Sequence, residues 1–119
     1  MPHPTDIRLR RASRILEVAF DDGRRFDLPC EYLRVYSPSA EVRGHGPGQE
    51  VLQVGKENVN ITAIEPVGNY AVKLYFDDGH NTGIYSWDWL YRLGTQQEAN
   101  WQEYLAQLAK AGYQRTTSA

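Results

Sequence analysis

The chain has 119 residues, enough for one hydrophobic core and too few for two, so a single domain is expected over residues 1–119, ordered from about 6 to 112. With 41% hydrophobic and 24% charged residues and one cysteine, the composition excludes a disulfide-stapled fold and a multi-thiolate metal site. No run approaches the ~20 apolar residues of a membrane helix, and a net charge of −2 with a pI near 5.9 gives no global attraction to nucleic acid or anionic lipid. The opening Met1-Pro2-His3-Pro4 lacks the apolar stretch of a signal peptide, and a cytoplasmic location is the expectation.

In chain order, Arg8, Arg10, Arg11 and Arg14, with Arg24 and Arg25 following, read as a solvated arm leading into the first strand. Asp6, Glu17, Asp21 and Asp22 balance them. The same arginines are the candidate contact for phosphate groups or an acidic partner. Phe20-Asp21-Asp22-Gly23 then recurs 56 residues later as Phe76-Asp77-Asp78-Gly79, each flanked by alternating apolar runs that predict a hairpin.

Register selects the turn length. A two-residue loop would set Val18 against Asp27, whereas a three-residue Asp-Asp-Gly loop pairs Val18 with Phe26 and Leu16 with Leu28. The same loop in the second copy pairs Val72 with Ile84 and Leu74 with Thr82. Gly23 and Gly79 are therefore expected at positive φ, with Asp22 and Asp78 shaping the turns.

Each hairpin is followed by a helix start, Pro29-Cys30-Glu31-Tyr32-Leu33 in the first copy and Ser86-Trp87-Asp88-Trp89-Leu90-Tyr91 in the second. Proline suits a first turn, Ser86 can cap, and Glu31 and Asp88 complement the helix dipole. Between the copies, the glycines and prolines of residues 37–49 predict a surface loop, and a strand is expected from Val59 to Ile64. Gly94 is expected to close the second helix. Thr95-Gln96-Gln97-Glu98 reads as a capping box for a third, which carries Trp101, Tyr104, Leu105 and Leu108 on one face and ends near Gly112. The fold class is α+β: a small antiparallel sheet of about five strands built from two repeated hairpin–helix units, plus a final helix.

Few groups suggest chemistry. Asp77, Asp78 and His80 are the most metal-like cluster, but Asp-Asp-Gly is sound turn chemistry in both copies, and the first copy carries arginine where His80 stands. The loop Arg43-Gly44-His45-Gly46-Pro47-Gly48, with Arg34 nearby, is the candidate binding segment. It is not a phosphate-binding loop of the G-x-x-x-x-G-K-[ST] type. Cys30 reads as a small buried hydrophobe, and Tyr85, Trp87, Trp89 and Tyr91 as core aromatics with stacking or cation caging as the alternative.

The stretch from Leu33 through Gly48, the segment Val67-Gly68-Asn69-Tyr70-Ala71-Val72 and the run from Phe76 to Trp87 resemble the gamma-butyrobetaine hydroxylase-like N-terminal domain family, formerly DUF971. The resemblance spans about residues 6–112. In the hydroxylases, it implies, this domain precedes an iron- and 2-oxoglutarate-dependent barrel and holds zinc through three cysteines and a histidine. Here the C-x-C-x-x-C positions fall on Ser37, Ser39 and Val42, and the histidine falls near His80, so a degenerate zinc site is expected. The barrel's H-x-[DE] motif is missing, since Thr5, Pro47 and Thr82 stand two residues after His3, His45 and His80.

Similar domains occur attached to P-loop ATPases of the iron–sulfur cluster carrier type. The resulting expectation is a non-catalytic accessory module without cofactor. It would bind a protein partner, such as a P-loop ATPase or a cofactor-assembly factor, through Arg34, Arg43 and the loop Gly44–Gly48. The alternatives are a metal-binding oxygenase-associated domain and, less favoured, nucleic-acid binding through the arginine cluster.

Overall fold

A computed structural model of the chain describes residues 2–44 and 48–115. Strand β1 (Pro4–Arg10) pairs antiparallel with β2 (Ile15–Phe20), which pairs with β3 (Arg25–Pro29), and helix α1 (Cys30–Val35) follows directly. A short helix α2 (Ala40–Arg43) lies in the connection. A second sheet then forms from β4 (Ile61–Val67), β5 (Ala71–Phe76) and β6 (Ile84–Ser86), followed by α3 (Trp87–Thr95) and α4 (Gln97–Lys110).

The class is α+β, but the architecture is two three-stranded antiparallel sheets rather than one sheet of about five. The difference arises at β1. Ile7 and Leu9 turn toward the core while the alternating Arg8 and Arg10 face out, so the expected arm is a strand that completes the first sheet.

Duplication therefore extends beyond the hairpins to whole strand–strand–strand–helix units, and the hydrogen bonds repeat with it. Both units carry an irregularity at the same place: Pro4 faces Phe20 and Asp6 faces Ala19, as Ile61 faces Phe76 and Ala63 faces Tyr75. The skipped residues are Thr5 and Thr62, whose hydroxyls donate to the Ala19 and Tyr75 carbonyls at 3.3 and 3.2 Å.

The first aspartate of each turn accepts a backbone N–H from just before the unit's first strand, His3 to Asp21 at 3.2 Å and Asn60 to Asp77 at 3.1 Å. The second accepts from the residue two positions on, Arg24 to Asp22 at 3.0 Å and His80 to Asp78 at 3.1 Å. Gly23 and Gly79 take φ of 89° and 91°, and each donates to the carbonyl of its turn's phenylalanine at 3.1 Å. Each helix start is tied to the far end of its unit's first hairpin, Cys30 N–H to Arg14 O and Trp87 N–H to Tyr70 O.

Leu16, Val18 and Phe20 of β2 and Val72, Leu74 and Phe76 of β5 supply one shared core, joined by Leu33 of α1 and Leu90 of α3. The first hairpin has the expected register, Val18 on Phe26 and Leu16 on Leu28. The second is corrected by one residue, because Val72 faces Tyr85 and Lys73 faces Ile84. The turn itself is the same, Phe76 N–H bonding His80 O at 3.0 Å as Phe20 N–H bonds Arg24 O at 2.8 Å. An extra residue lies in the irregular stretch 80–83, which leaves the ladder. Tyr85 is thereby fully buried while Ile84 is exposed.

Ser86 caps α3 as expected, accepting from Trp89 N–H at 3.1 Å. Two other boundary expectations fail. Helix α3 continues through Gly94, and α4 begins after Gln96 without a side-chain cap, since the Thr95 hydroxyl donates back to Arg92 O at 3.2 Å. Gly94 is needed for proximity rather than termination: a β-carbon there would stand 2.4 Å from the Phe26 ring. On α4, Tyr104 and Leu108 are buried and Trp101 and Leu105 partly so, and Gly112 turns the chain at φ 77°.

Candidate functional site

Residues 37–42 are not the solvent loop that their composition predicts. Ser37, Ser39 and Val42 are all buried, and the segment packs on the second Asp-Asp-Gly turn. Ser39 caps α2, accepting from Glu41 N–H at 3.2 Å, and its hydroxyl lies 2.6 Å from that of Thr82. The Ser37 hydroxyl lies 2.9 Å from His80 Nε2, and Glu41 Oε2 lies 3.0 Å from His80 Nδ1. An ionised carboxylate can only accept, so Nδ1–H faces Glu41 and Nε2 accepts the Ser37 proton. Ser37 Oγ in turn accepts Ser39 N–H at 3.2 Å.

Beside this chain of bonds lies an ion cluster around the buried Arg34. Asp78 Oδ2 accepts from Arg34 Nε at 2.9 Å and from Lys56 Nζ at 2.6 Å. Burial alone would raise the Asp78 carboxyl, but hydrogen bonds from Lys56, His80 N–H and Arg34 outweigh it and hold the group at about 2. Burial, then the Arg34 charge, lowers the His80 imidazole below its ordinary value against the opposing pull of Glu41. The ring is therefore neutral at neutral pH.

Ser37, His80 and Glu41 follow the bond order of a hydrolase triad. Acyl transfer, however, needs a nucleophile that a substrate can reach. Ser37 is fully buried, and the Gly83 backbone closes over it so tightly that a β-carbon there would stand 2.5 Å from Ser37 Oγ. Cys30 is likewise buried, its thiol raised by burial and facing Asn60 Oδ1 at 3.7 Å.

The predicted binding residues divide. Arg34 is committed to Asp78. Arg43 stacks 5.5 Å over the Tyr36 ring and reaches Val35 O at 3.4 Å, and its Nε, like Arg34 Nη1, is buried without a hydrogen-bond partner among the described residues. Gly44 ends α2 at φ 74°, and a β-carbon there would lie 2.2 Å from Gln49 O, so glycine is required both for conformation and for space. Gly48 has φ 81°. His45 and Gly46, like Pro47, lie outside the described residues. Arg43 also borders a polar cleft of about 450 Å³ with Val35, Tyr36, Leu52, Gln53 and Tyr104.

The candidate aromatics are architectural. Tyr85 donates to Leu33 O at 2.6 Å, Trp87 to Asn69 O at 2.8 Å, Trp89 to Tyr36 O at 3.1 Å and Tyr91 to Asp22 at 2.6 Å. The arginines of the first unit are largely spoken for. Arg8 pairs with Asp6 at 2.6 Å, while Arg10, at 2.5 Å, and Arg25 both clasp Glu17, which they bury. Arg11 reaches across to Thr62 O at 2.8 Å.

The comparisons with known proteins fit this arrangement. The family model described as gamma-butyrobetaine hydroxylase-like, N-terminal, matches residues 7–91. The chain belongs to that family. Among solved structures, two solution NMR structures share 56% and 49% identity with this member, each with a TM-score of 0.84. Each alignment spans 100% of this chain, and 89% and 94% of the respective NMR chains. A crystal structure of a DUF971-family protein of unknown function from Acidithiobacillus ferrooxidans shares 42% identity at a TM-score of 0.66, over 77% of this chain and 92% of that one. A search of curated proteins found no match.

For the gamma-butyrobetaine hydroxylase-like family, the zinc positions implied by resemblance are here Ser37, Ser39, Val42 and His80. The fold brings Ser37 and Ser39 to the His80 turn, but the residues do not fit a zinc ion. Two are hydroxyls, one is a hydrocarbon, and both ring nitrogens of His80 are engaged. Among the described residues, no group of three or more His, Cys, Asp or Glu is arranged to hold a metal.

Sequence reasoning missed Glu41, Lys56 and Thr82 as members of this cluster. Glu41 follows a capping serine, which signals a helix start, but nothing local ties Lys56 or Thr82 to the turn.

Proposed function

We propose that the chain is a non-catalytic accessory module that binds another protein in the cytoplasm and serves metal-cofactor assembly. The observation that carries this reading is the internal use of the reactive groups described at the second turn and at Cys30: Ser37, Glu41 and His80 satisfy one another, Asp78 holds two cations, and Cys30 is buried. The face beside Arg43 supplies the binding surface. There Val51, 54% exposed, lines the cleft, and Arg43 brings a cation into an aromatic setting. No helix among the described residues is long and apolar enough to cross a membrane.

A P-loop ATPase of the iron–sulfur cluster carrier type is the first partner to test, on the analogy of similar domains joined to such enzymes. Tagged protein at native expression is expected to retain one specific partner, and Arg43→Glu or Val51→Asp is expected to release it. Retention of the same proteins by wild type and variants, or of none, would count against the reading.

A further inference from the structure

The segment after α4 folds back onto a site built from three separate elements. Arg115 forks onto Glu31 in the first turn of α1, with Nε 2.9 Å from Oε2 and Nη2 on Oε1, and its guanidinium stacks 5.1 Å from the centre of the Trp101 ring on α4. Two residues earlier, the Tyr113 hydroxyl lies 3.0 and 2.9 Å from the two carboxylate oxygens of Glu57. Glu31 is 7% exposed although it is charged, and 84 residues of chain separate it from its partner.

A two-point carboxylate fork beneath a stacked aromatic ring is a guanidinium receptor, and lysine cannot reproduce the fork. Gly112 at φ 77° and the Tyr113 N–H bond to Leu108 O bring the segment to it.

We propose that Glu31, Glu57 and Trp101 form a docking site for arginine-bearing peptide segments of the form aromatic-x-arginine, which Tyr113-Gln114-Arg115 occupies within the same chain. The proposal rests on the reading of the chain as a protein-binding module and adds a surface that does not use Arg43. A tethered occupant competes at high effective concentration, so an outside segment binds weakly until the internal one is removed.

The test uses a fluorophore-labelled peptide of residues 111–119 and the full chain carrying Tyr113→Ala and Arg115→Ala. Fluorescence anisotropy should show the double variant binding the peptide about tenfold or more tightly than wild type, and Glu31→Gln added to it should remove that binding. A peptide in which arginine is replaced by lysine should bind weakly. If the double variant binds no better than wild type, or if Glu31→Gln leaves its binding unchanged, the proposal is wrong. Should circular dichroism show the double variant unfolded, Arg115→Ala alone is put to the same test, and no gain there also overturns it. Because the peptide is defined, failure here leaves the partner-capture result standing, and failure of capture leaves this one standing.

Discussion

The two units share a backbone plan and differ in what they place at equivalent positions. Each helix braces the other unit's turn. Tyr91 of α3 bonds Asp22 of the first turn, and Arg34 of α1, its counterpart, bonds Asp78 of the second. Likewise Tyr32 donates to Leu93 O at 2.7 Å, and Trp89 to Tyr36 O at 3.1 Å. Packing follows the same exchange: Phe26 lies on Gly94, and Ser37, the counterpart of Gly94, lies on Gly83, the counterpart of Phe26. The first junction is thus mainly aromatic, with one tyrosine–carboxylate bond, and the second is polar and charged. An identical turn becomes a candidate for chemistry only through the elements packed against it.

The largest expected effect separates the two braces. Arg34→Ala strips Asp78 of its buried partner and should cost about 2–3 kcal/mol, with Lys56 keeping the loss below the usual range for a broken buried pair. Tyr91→Phe, at the equivalent exposed brace, should leave the denaturation midpoint nearly unchanged. Equal losses from the two variants would show that the two braces carry the same load.

Next comes Gly94→Ala, which drives a β-carbon into the Phe26 ring and should cost about 1–3 kcal/mol in urea denaturation. Phe26→Leu in the same chain should recover part of that loss.

Gly23→Ala and Gly79→Ala meet open space but require positive φ, so each should cost about 1 kcal/mol. Near-equal values would sharpen the duplication, and a large inequality would show that the second turn is held by its cluster.

The smallest effect is in pH. His80 has a lowered folded-state value, so the unfolded chain binds its proton more readily. The stability that results is fully present above the ordinary imidazole value of 6.5 and declines as pH falls through the lower folded value. His80→Gln should flatten the melting temperature over that window. Asp78 behaves alike further down, its contribution lost between ~4 and about 2.

The turns were legible in sequence because Asp-Asp-Gly fixes its own conformation through bonds two residues apart, and the first register followed from Val18 and Leu16 needing apolar partners. The second register was not, since His80-Asn81-Thr82-Gly83 carries no alternation by which to count the extra residue. Strand β1 was hidden by its arginines, although Thr5 and Ile7 recur as Thr62 and Ile64 and could have revealed it.

At the site, the fold brings Ser37 to His80 and Ser39 to Thr82. Glu41, Lys56 and Thr82 depend on how the connection between the units folds back, which local pattern does not encode.

Metal content of untagged protein, measured by elemental analysis, tests most directly whether the His80 cluster is a structural junction rather than a site for chemistry. The expected result is no stoichiometric metal in either wild type or His80→Gln. One equivalent of zinc or iron in wild type that disappears in His80→Gln would contradict it.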